Sequence, residues 1–322
     1  MEILRKLTQC DAPSGNEKPI TDLIASLTKE YADEIYTDVM GNLVVHKKGN
    51  GKKVMFAAHC DEIGIVVTYI EENGFLRFSD VGGLYTRHLN NRRVRFANGT
   101  IGVISFEKEN DKNKLSKMYI DIGAKSRDEA NKLVSVGDMA VFTGEFYSQG
   151  TKVISKALDN RTGCYVLIEA LKRVKSDNDL YFCFTTQEEV GLRGARTCAY
   201  SVDADVAIAV DITDVGDTPN CEKNSCSLGN GAAIKVMDYS VICSPSIREK
   251  LVELAKENSI KYQLEVMTEG GTDAGVMLIA REGVLTGGIS IPTRYIHSPS
   301  EMADIEDIEN CIQLAIAFAE NI

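Results

Sequence analysis

At 322 residues, 44% hydrophobic and 26% charged, the chain has the make-up of a globular protein with room for one large domain or two modest ones. No apolar stretch is long enough to span a bilayer, and a formal net charge of -11 without a basic run argues against a nucleic-acid partner. The 9 cysteines are odd in number and scattered, unlike a secreted disulfide framework; with an amphipathic N-terminus in place of a secretion signal, the expectation is a cytoplasmic protein.

Apolar residues at helical spacing predict a helix over Asn16–Leu27, after a Pro-Ser-Gly opening. Glu34–Asp38 and Asn42–Lys48 flank a Gly-Asn turn and predict a hairpin. Lys53–His59 is a short, almost wholly apolar run, as a strand covered on both faces requires. From residue 65 the texture changes to short β-prone runs: Ile65–Ile70, Phe75–Phe78, Arg93–Phe96, Thr100–Phe106, Met118–Ile122 and Met139–Phe142. Turn dipeptides at Asn73-Gly74, Asn98-Gly99 and Gly137-Asp138 separate them, which predicts a small β-rich domain. The polar segment Glu107–Lys114 is expected to be a mobile loop.

Beyond Asp159, strand and helix alternate. The pattern predicts helices over Asn160–Val174, Gly191–Tyr200, Ser246–Ser259, Asp273–Arg281 and Ile305–Ala319. Between them it predicts strands over Leu180–Thr186, Val206–Val210, Ala232–Met237, Gln263–Met267 and Val284–Ile289. This is an α/β fold with a largely parallel sheet flanked by helices. Residues 1–64 and 156–322 would form this discontinuous α/β domain, with the β-rich block 65–155 inserted.

The most telling chemistry lies at the predicted strand ends. The run Asp179–Gln187 leads directly into Glu188-Glu189, then Val190-Gly191. One carboxylate of such a pair can hold a metal while its neighbour moves protons. Adjacent residues face opposite ways in extended chain, which suits two roles; the alternative is a solvated acidic turn ahead of a helix N-terminus. His59 closes a buried strand. Asp61, two residues on, shares its side and can accept the second imidazole N–H of a metal-bound histidine. Asp159 precedes a helix, either as an N-cap or as a carboxylate bridging two cations about 4 Å apart. Asp211 follows a buried run at a strand exit, where open α/β sheets bind ligands, with a turn aspartate as the alternative. His297 lies in an irregular stretch and in isolation reads as a capping histidine. His46 and His88 read as surface and loop residues. Together, His59, Asp159, Asp211, His297 and one of the two glutamates offer five ligands for two divalent ions and leave one glutamate as a base. Nitrogen and oxygen donors without thiolate suit Zn²⁺, Co²⁺ or Mn²⁺.

Six motifs stand in a recognisable order: Pro13-Ser-Gly-Asn-Glu17, Ala58-His-Cys-Asp-Glu-Ile-Gly64, Lys156-Ala-Leu-Asp-Asn-Arg161, Thr185-Thr-Gln-Glu-Glu-Val-Gly191, Gly270-Gly-Thr-Asp-Ala274 and Arg294-Tyr-Ile-His-Ser-Pro299. In this arrangement the chain resembles, nearly end to end, the tetrahedral (glutamyl, leucyl or deblocking) aminopeptidases. The resemblance implies one metal ion on His59, Asp159 and Asp211, and a second on Asp159, Glu189 and His297. It implies Glu188 as general base, Asp61 as the orienting carboxylate, and a cis peptide at Asp159-Asn160. The β-rich insert then corresponds to a dimerisation domain of a homo-oligomer that extends as far as a dodecamer. The expected substrates are peptides with a free N-terminus, and neither nucleic acid nor membrane is an expected partner. Arg87, Arg193 and Arg294 are candidates for a basic specificity pocket. Two readings compete: a related two-metal amidohydrolase or deacylase, and a non-catalytic metal-binding scaffold, which the presence of all six site residues disfavours.

Overall fold

The computed structural model describes every residue except Lys112, Glu222 and Lys223. Helices α1 (Glu2–Gln9) and α2 (Lys18–Thr28) open the chain, followed by β1 (Glu34–Thr37), β2 (Leu43–Lys47) and β3 (Lys53–His59). Next come β4 (Gly64–Ile70), β5 (Leu76–Val81), β6 (Arg93–Phe96), β7 (Ile101–Phe106), β8 (Met118–Asp121), the short α3 (Arg127–Ala130) and β9 (Met139–Phe142). The hairpin β10 (Tyr147–Gln149) and β11 (Lys152–Ser155) leads into α4 (Leu158–Arg173). The remainder is β12 (Asp179–Thr185), α5 (Arg193–Val202), β13 (Val206–Thr213), β14 (Ala232–Met237), α6 (Pro245–Glu257), β15 (Tyr262–Val266), α7 (Ala274–Met277), β16 (Leu285–Arg294), β17 (Glu301–Asp304) and α8 (Ile305–Asn321).

The larger sheet has 11 strands, in the order β1-β2-β12-β3-β13-β16-β17-β11-β10, with β14 and β15 attached beside β16. Its centre, β12-β3-β13-β16, is parallel. Its flanks are antiparallel, through β2 on one side and β14, β17 and β11 on the other. The sheet is therefore mixed, not largely parallel as the alternation predicts. The connections explain the difference. Parallel neighbours need a crossover of a dozen residues or more, whereas the short link from Arg294 to Glu301 can only return antiparallel.

Successive side chains of the central strands face opposite layers. Phe56, Phe182, Ile208 and Ile289 pack under α1, α2, α4, α6 and α8, while Met55, Cys183 and Ala207 pack under α5 and α7. Coverage on both faces is why β3 reads as an unbroken apolar run.

The smaller sheet closes on itself as a six-stranded barrel, β4-β5-β8-β7-β6-β9, around Ile65, Leu76, Val94, Ile104 and Ile120. Closure leaves it no free edge. β10 and β11 fall within the 65–155 block yet belong to the large sheet: β11 pairs with β17, Lys152 opposite Asp304 and Ser155 opposite Glu301, and β10 pairs with β11 at the edge. Their own sequence is ordinary hairpin; the partner strand Glu301–Asp304 carries no strand signature, so the pairing is not visible in the chain. Of the segment expected to be a mobile loop, Lys112 lies outside the described residues. Glu107 is tied to Arg77 at 2.7 Å, and Glu109–Asp111 form a 3-10 turn.

Candidate active site

β3 pairs with β13 only as far as Ala57 and Ala209, and beyond that point the two strands part. His59 and Asp211 stand just past the split. The start of α4 enters the opening: Asn160 Nδ2 donates to the Val210 carbonyl at 2.8 Å and Cys164 Sγ to that of His59 at 3.2 Å. A Cβ on Gly163 would fall 2.2 Å from Asn160 Oδ1 and 2.6 Å from the Val210 oxygen, so glycine is what allows this approach. The Asp159-Asn160 peptide is cis, and both residues leave helical backbone geometry. The crevice thus lies at the carboxyl ends of the parallel strands, where open α/β sheets bind ligands.

Six residues expected at a site meet there. Asp159 lies between the two imidazoles, its Oδ1 3.1 Å from His59 Nε2 and its Oδ2 3.3 Å from His297 Nε2. His59 Nε2 is also 3.6 Å from Asp211 Oδ1 and 3.8 Å from Glu188 Oε2, and His297 Nε2 is 3.5 Å from Glu189 Oε2. Ligand atoms of His59, Asp159 and Glu189 all lie within 4.8 Å of one another, as do those of His59, Glu188 and Asp211. Asp159 caps nothing: its helix has Ala157 as N-cap and no side-chain cap bond. Asp211 is a buried residue within β13 and not a turn aspartate.

Asp61 is fully buried at the centre of the supports. It accepts the Ser14 hydroxyl at 2.6 Å and the backbone N–H groups of Glu188 and Glu189 at 3.1 and 3.2 Å. Its Oδ1 lies 3.4 Å from His59 Nδ1, an ion-pair distance, and that ring nitrogen makes no hydrogen bond among the described residues. Several non-glycine residues here hold a left-handed backbone: Ala157, Gln187, Leu192 and His297, with φ between 53° and 57°. Such conformations cost energy and collect at functional sites.

The electrostatics are those of a cation deficit. Burial pushes the Glu188 carboxyl well up, aided by Asp211 and Glu189, and burial raises Glu189 to about 8 against the pull of His297. Burial lowers an imidazole, yet Glu188 and Asp211 lift His59 well above its ordinary value, and Glu189 and Asp159 lift His297 to about 10. Burial would also raise Asp159, but the contacts with His297 and His59 outweigh it and hold the carboxyl low. Among the described residues no lysine or arginine pairs with Asp159, Glu188, Glu189 or Asp211; the nearby Lys235 is committed to Glu265 and Asp238. Four carboxylates against two imidazoles, with only nitrogen and oxygen donors, form a set that fits divalent cations.

Two residues that sequence reasoning passes over belong to this site. Glu301 accepts the Asp159 N–H through Oε2 and the His297 N–H through Oε1, both at 2.9 Å. Asp273, buried beside Asp211, accepts the Thr185 hydroxyl at 2.5 Å. The signals in the chain were slight: Asp273 lies within the motif Gly270–Ala274, and Glu301 stands two residues beyond the motif Arg294–Pro299. His46 is not a surface residue: it is buried, stacked on Tyr181, with Nε2 2.7 Å from Asp179. Of the three arginines, Arg294 is held by both oxygens of Asp217 at 2.8 Å, Arg87 covers the Tyr85 ring, and Arg193 bonds Gln187 at 3.2 Å.

Residues 41–314 match the family model described as M42 glutamyl aminopeptidase. A putative aminopeptidase of Acetivibrio thermocellus is 52% identical, over 98% of this chain and 97% of its own length. An aminopeptidase from the archaeon Desulfurococcus kamchatkensis superposes with a TM-score of 0.96 at 42% identity, covering 100% of this chain and 94% of that one. The Pyrococcus horikoshii TET1 peptidase, described as assembling into a tetrahedron or a large octahedral shell, has a TM-score of 0.90 at 34% identity and covers 100% and 99% of the two chains. The chain belongs to the M42 glutamyl aminopeptidase family, the tetrahedral aminopeptidases, and is a hydrolase of that kind.

Proposed function

We propose that the chain is a dinuclear metallo-aminopeptidase with Glu188 as general base. The observation that carries the reading is Asp159 between two imidazoles, one carboxylate oxygen turned to each. A carboxylate in that position can be shared by two ions. His59, Asp159 and Asp211 would hold one, and Asp159, Glu189 and His297 the other; the donor set favours Zn²⁺ or Co²⁺ and accommodates Mn²⁺. When bound, the ions supply Lewis acidity that polarises the scissile carbonyl and acidifies water. Glu188, half-buried beside His59, takes the proton of the attacking water and returns it to the leaving amine. In this reading Asp61 fixes the backbone of the acid pair and, 3.4 Å from His59 Nδ1, orients that imidazole through its charge.

The substrate is a peptide with a free N-terminus, received in the crevice lined by Tyr85, Tyr239, Met267, Gly270 and Thr272. Likeness to the TET1 peptidase along the whole chain supports a homo-oligomer, which in this reading is built from dimers through the barrel and extends as far as a dodecamer. Nine free cysteines fit a reducing cytoplasm. No described helix is long and apolar enough to cross a membrane.

Glu188→Gln is expected to keep its metal and lose turnover of aminoacyl-p-nitroanilides by a factor on the order of 100 or more. Near wild-type turnover would remove Glu188 as the base. His59→Ala and His297→Ala should each lower the metal bound per chain, read by elemental analysis; full stoichiometry in both would refute the ligand set.

A further inference from the structure

The motif Pro13-Ser-Gly-Asn-Glu17 has no part in the mechanism above, yet it is folded against the acid pair. Its loop runs beside the residues that follow β3: the Ser14 N–H donates to the Glu62 carbonyl at 3.3 Å and the Glu62 N–H to that of Ala12 at 3.1 Å. Glu17 is only 6% exposed, and its Oε1 accepts the N–H of Gly15 at 2.6 Å and that of Gln187 at 3.1 Å. Ser14 Oγ donates to Asp61 Oδ2 at 2.6 Å, and Asp61 accepts the next two amides, those of Glu188 and Glu189. Three consecutive N–H groups, 187 to 189, therefore end on two buried carboxylates that the N-terminal loop supplies or supports.

This stretch needs holding. It lies between the end of β12 and the start of α5, outside any strand ladder. Gln187 has a φ of 53°, which a residue with a side chain adopts only under constraint. A small turn about that residue would swing the Glu188 and Glu189 carboxyls together, away from both imidazoles.

We infer that Ser14 and Glu17 are positioning residues that set the geometry of the Glu188-Glu189 pair by gripping its backbone. The inference rests on the reading of Glu188 as base and Glu189 as ligand. What Glu17 contributes is an acceptor oxygen at Oε1. Glutamine keeps that oxygen, whereas methionine matches the length of the side chain and lacks it.

The test compares Glu17→Met, Glu17→Gln and Ser14→Ala with wild type in two readouts. One is Co²⁺ affinity of the metal-stripped protein by calorimetry; the other is kcat and KM on an aminoacyl-p-nitroanilide at saturating Co²⁺. Glu17→Met should lose about tenfold or more in Co²⁺ affinity or in kcat, as removal of outer partners of a metal site does. KM should stay near its wild-type value, Glu17→Gln should recover the loss, and Ser14→Ala should show a smaller loss of the same kind. Wild-type affinity and kcat in Glu17→Met would overturn the inference, even with a lowered melting temperature. So would a Glu17→Gln variant as impaired as Glu17→Met. If Glu17→Met does not fold, Ser14→Ala decides: a loss in either readout supports the grip, and wild-type values overturn it. Glu188→Gln, measured alongside, separates the two readings, because an active Glu188→Gln removes the base while the Co²⁺ affinities still report on the grip.

Discussion

Glu301 shows how much of this site is held through backbone and not through side-chain pairing. One carboxylate spans the two segments that carry the proposed ligands Asp159 and His297, the entry to α4 and the loop after β16, by accepting the N–H groups of both residues on separate oxygens. An amide has one acceptor and one donor, so Glu301→Gln must turn an NH₂ toward one of those N–H groups. The variant should fold but bind metal about 10- to 100-fold more weakly, read by calorimetry on metal-stripped protein; unchanged affinity would count against a positioning role. The contrast between Glu301 and the six expected residues says what a sequence reveals at this scale. His59, Glu188, Glu189 and Asp211 each break an apolar strand pattern with a charge at or near its end, and that break is readable. A side chain whose work is to accept backbone N–H groups from distant segments leaves no such break. His46 was unreadable for the same reason, since its burial depends on Asp179 and Tyr181, far along the chain.

Among the elements, those with a strong period were legible and those defined by their partners were not. Val206–Thr213, Ala232–Met237 and Ile305–Asn321 form where apolar spacing predicts them. The helix expected over Asp273–Arg281 shrinks to Ala274–Met277, and β17 was missed because Glu301, Met302, Ala303 and Asp304 hide two buried carboxyls in a strand. Asp307, in the first turn of α8, offers a test at this scale. Its two oxygens accept the N–H groups of Gly229 and Gly231 at 2.6 Å each, tying the loop before β14 to the helix. Burial raises its carboxyl from 3.8 to about 6 despite those bonds. A carboxyl raised on folding favours the native state below the unfolded value of 3.8, and that contribution fades as pH climbs through about 6. Wild type should therefore gain in melting temperature over Asp307→Asn on going from pH 7.5 to pH 5. A difference between the two proteins that does not change with pH would show that Asp307 is not raised.

For the molecule as a whole, the question is what joins the barrel to the body built on the large sheet, since the chain crosses between them twice. The sequence texture announces a β-rich block but is silent on the joint, because its charged residues are spread from Asp11 to Arg161. Glu62, just before β4, receives Lys156 Nζ at 2.7 and 2.9 Å and Arg161 Nη2 at 3.3 Å, and Lys156 and Arg161 are almost wholly buried. Asp11 extends the network outward, 3.0 Å from Lys156 and bound by both Nε and Nη2 of Arg95 on barrel strand β6. The two acids should differ sharply in their importance. Removing one partner of a buried ion pair strands an uncompensated charge, so Glu62→Ala should destabilise the protein by about 3–5 kcal/mol. Asp11 is more exposed, and there water can replace the lost partner. Asp11→Ala should cost about 1 kcal/mol or less. Denaturant melts at matched protein concentration would compare them, because assembly shifts apparent stability. Equal costs for the two substitutions would mean that this joint is screened by water, and that the barrel is held to the body by apolar packing instead.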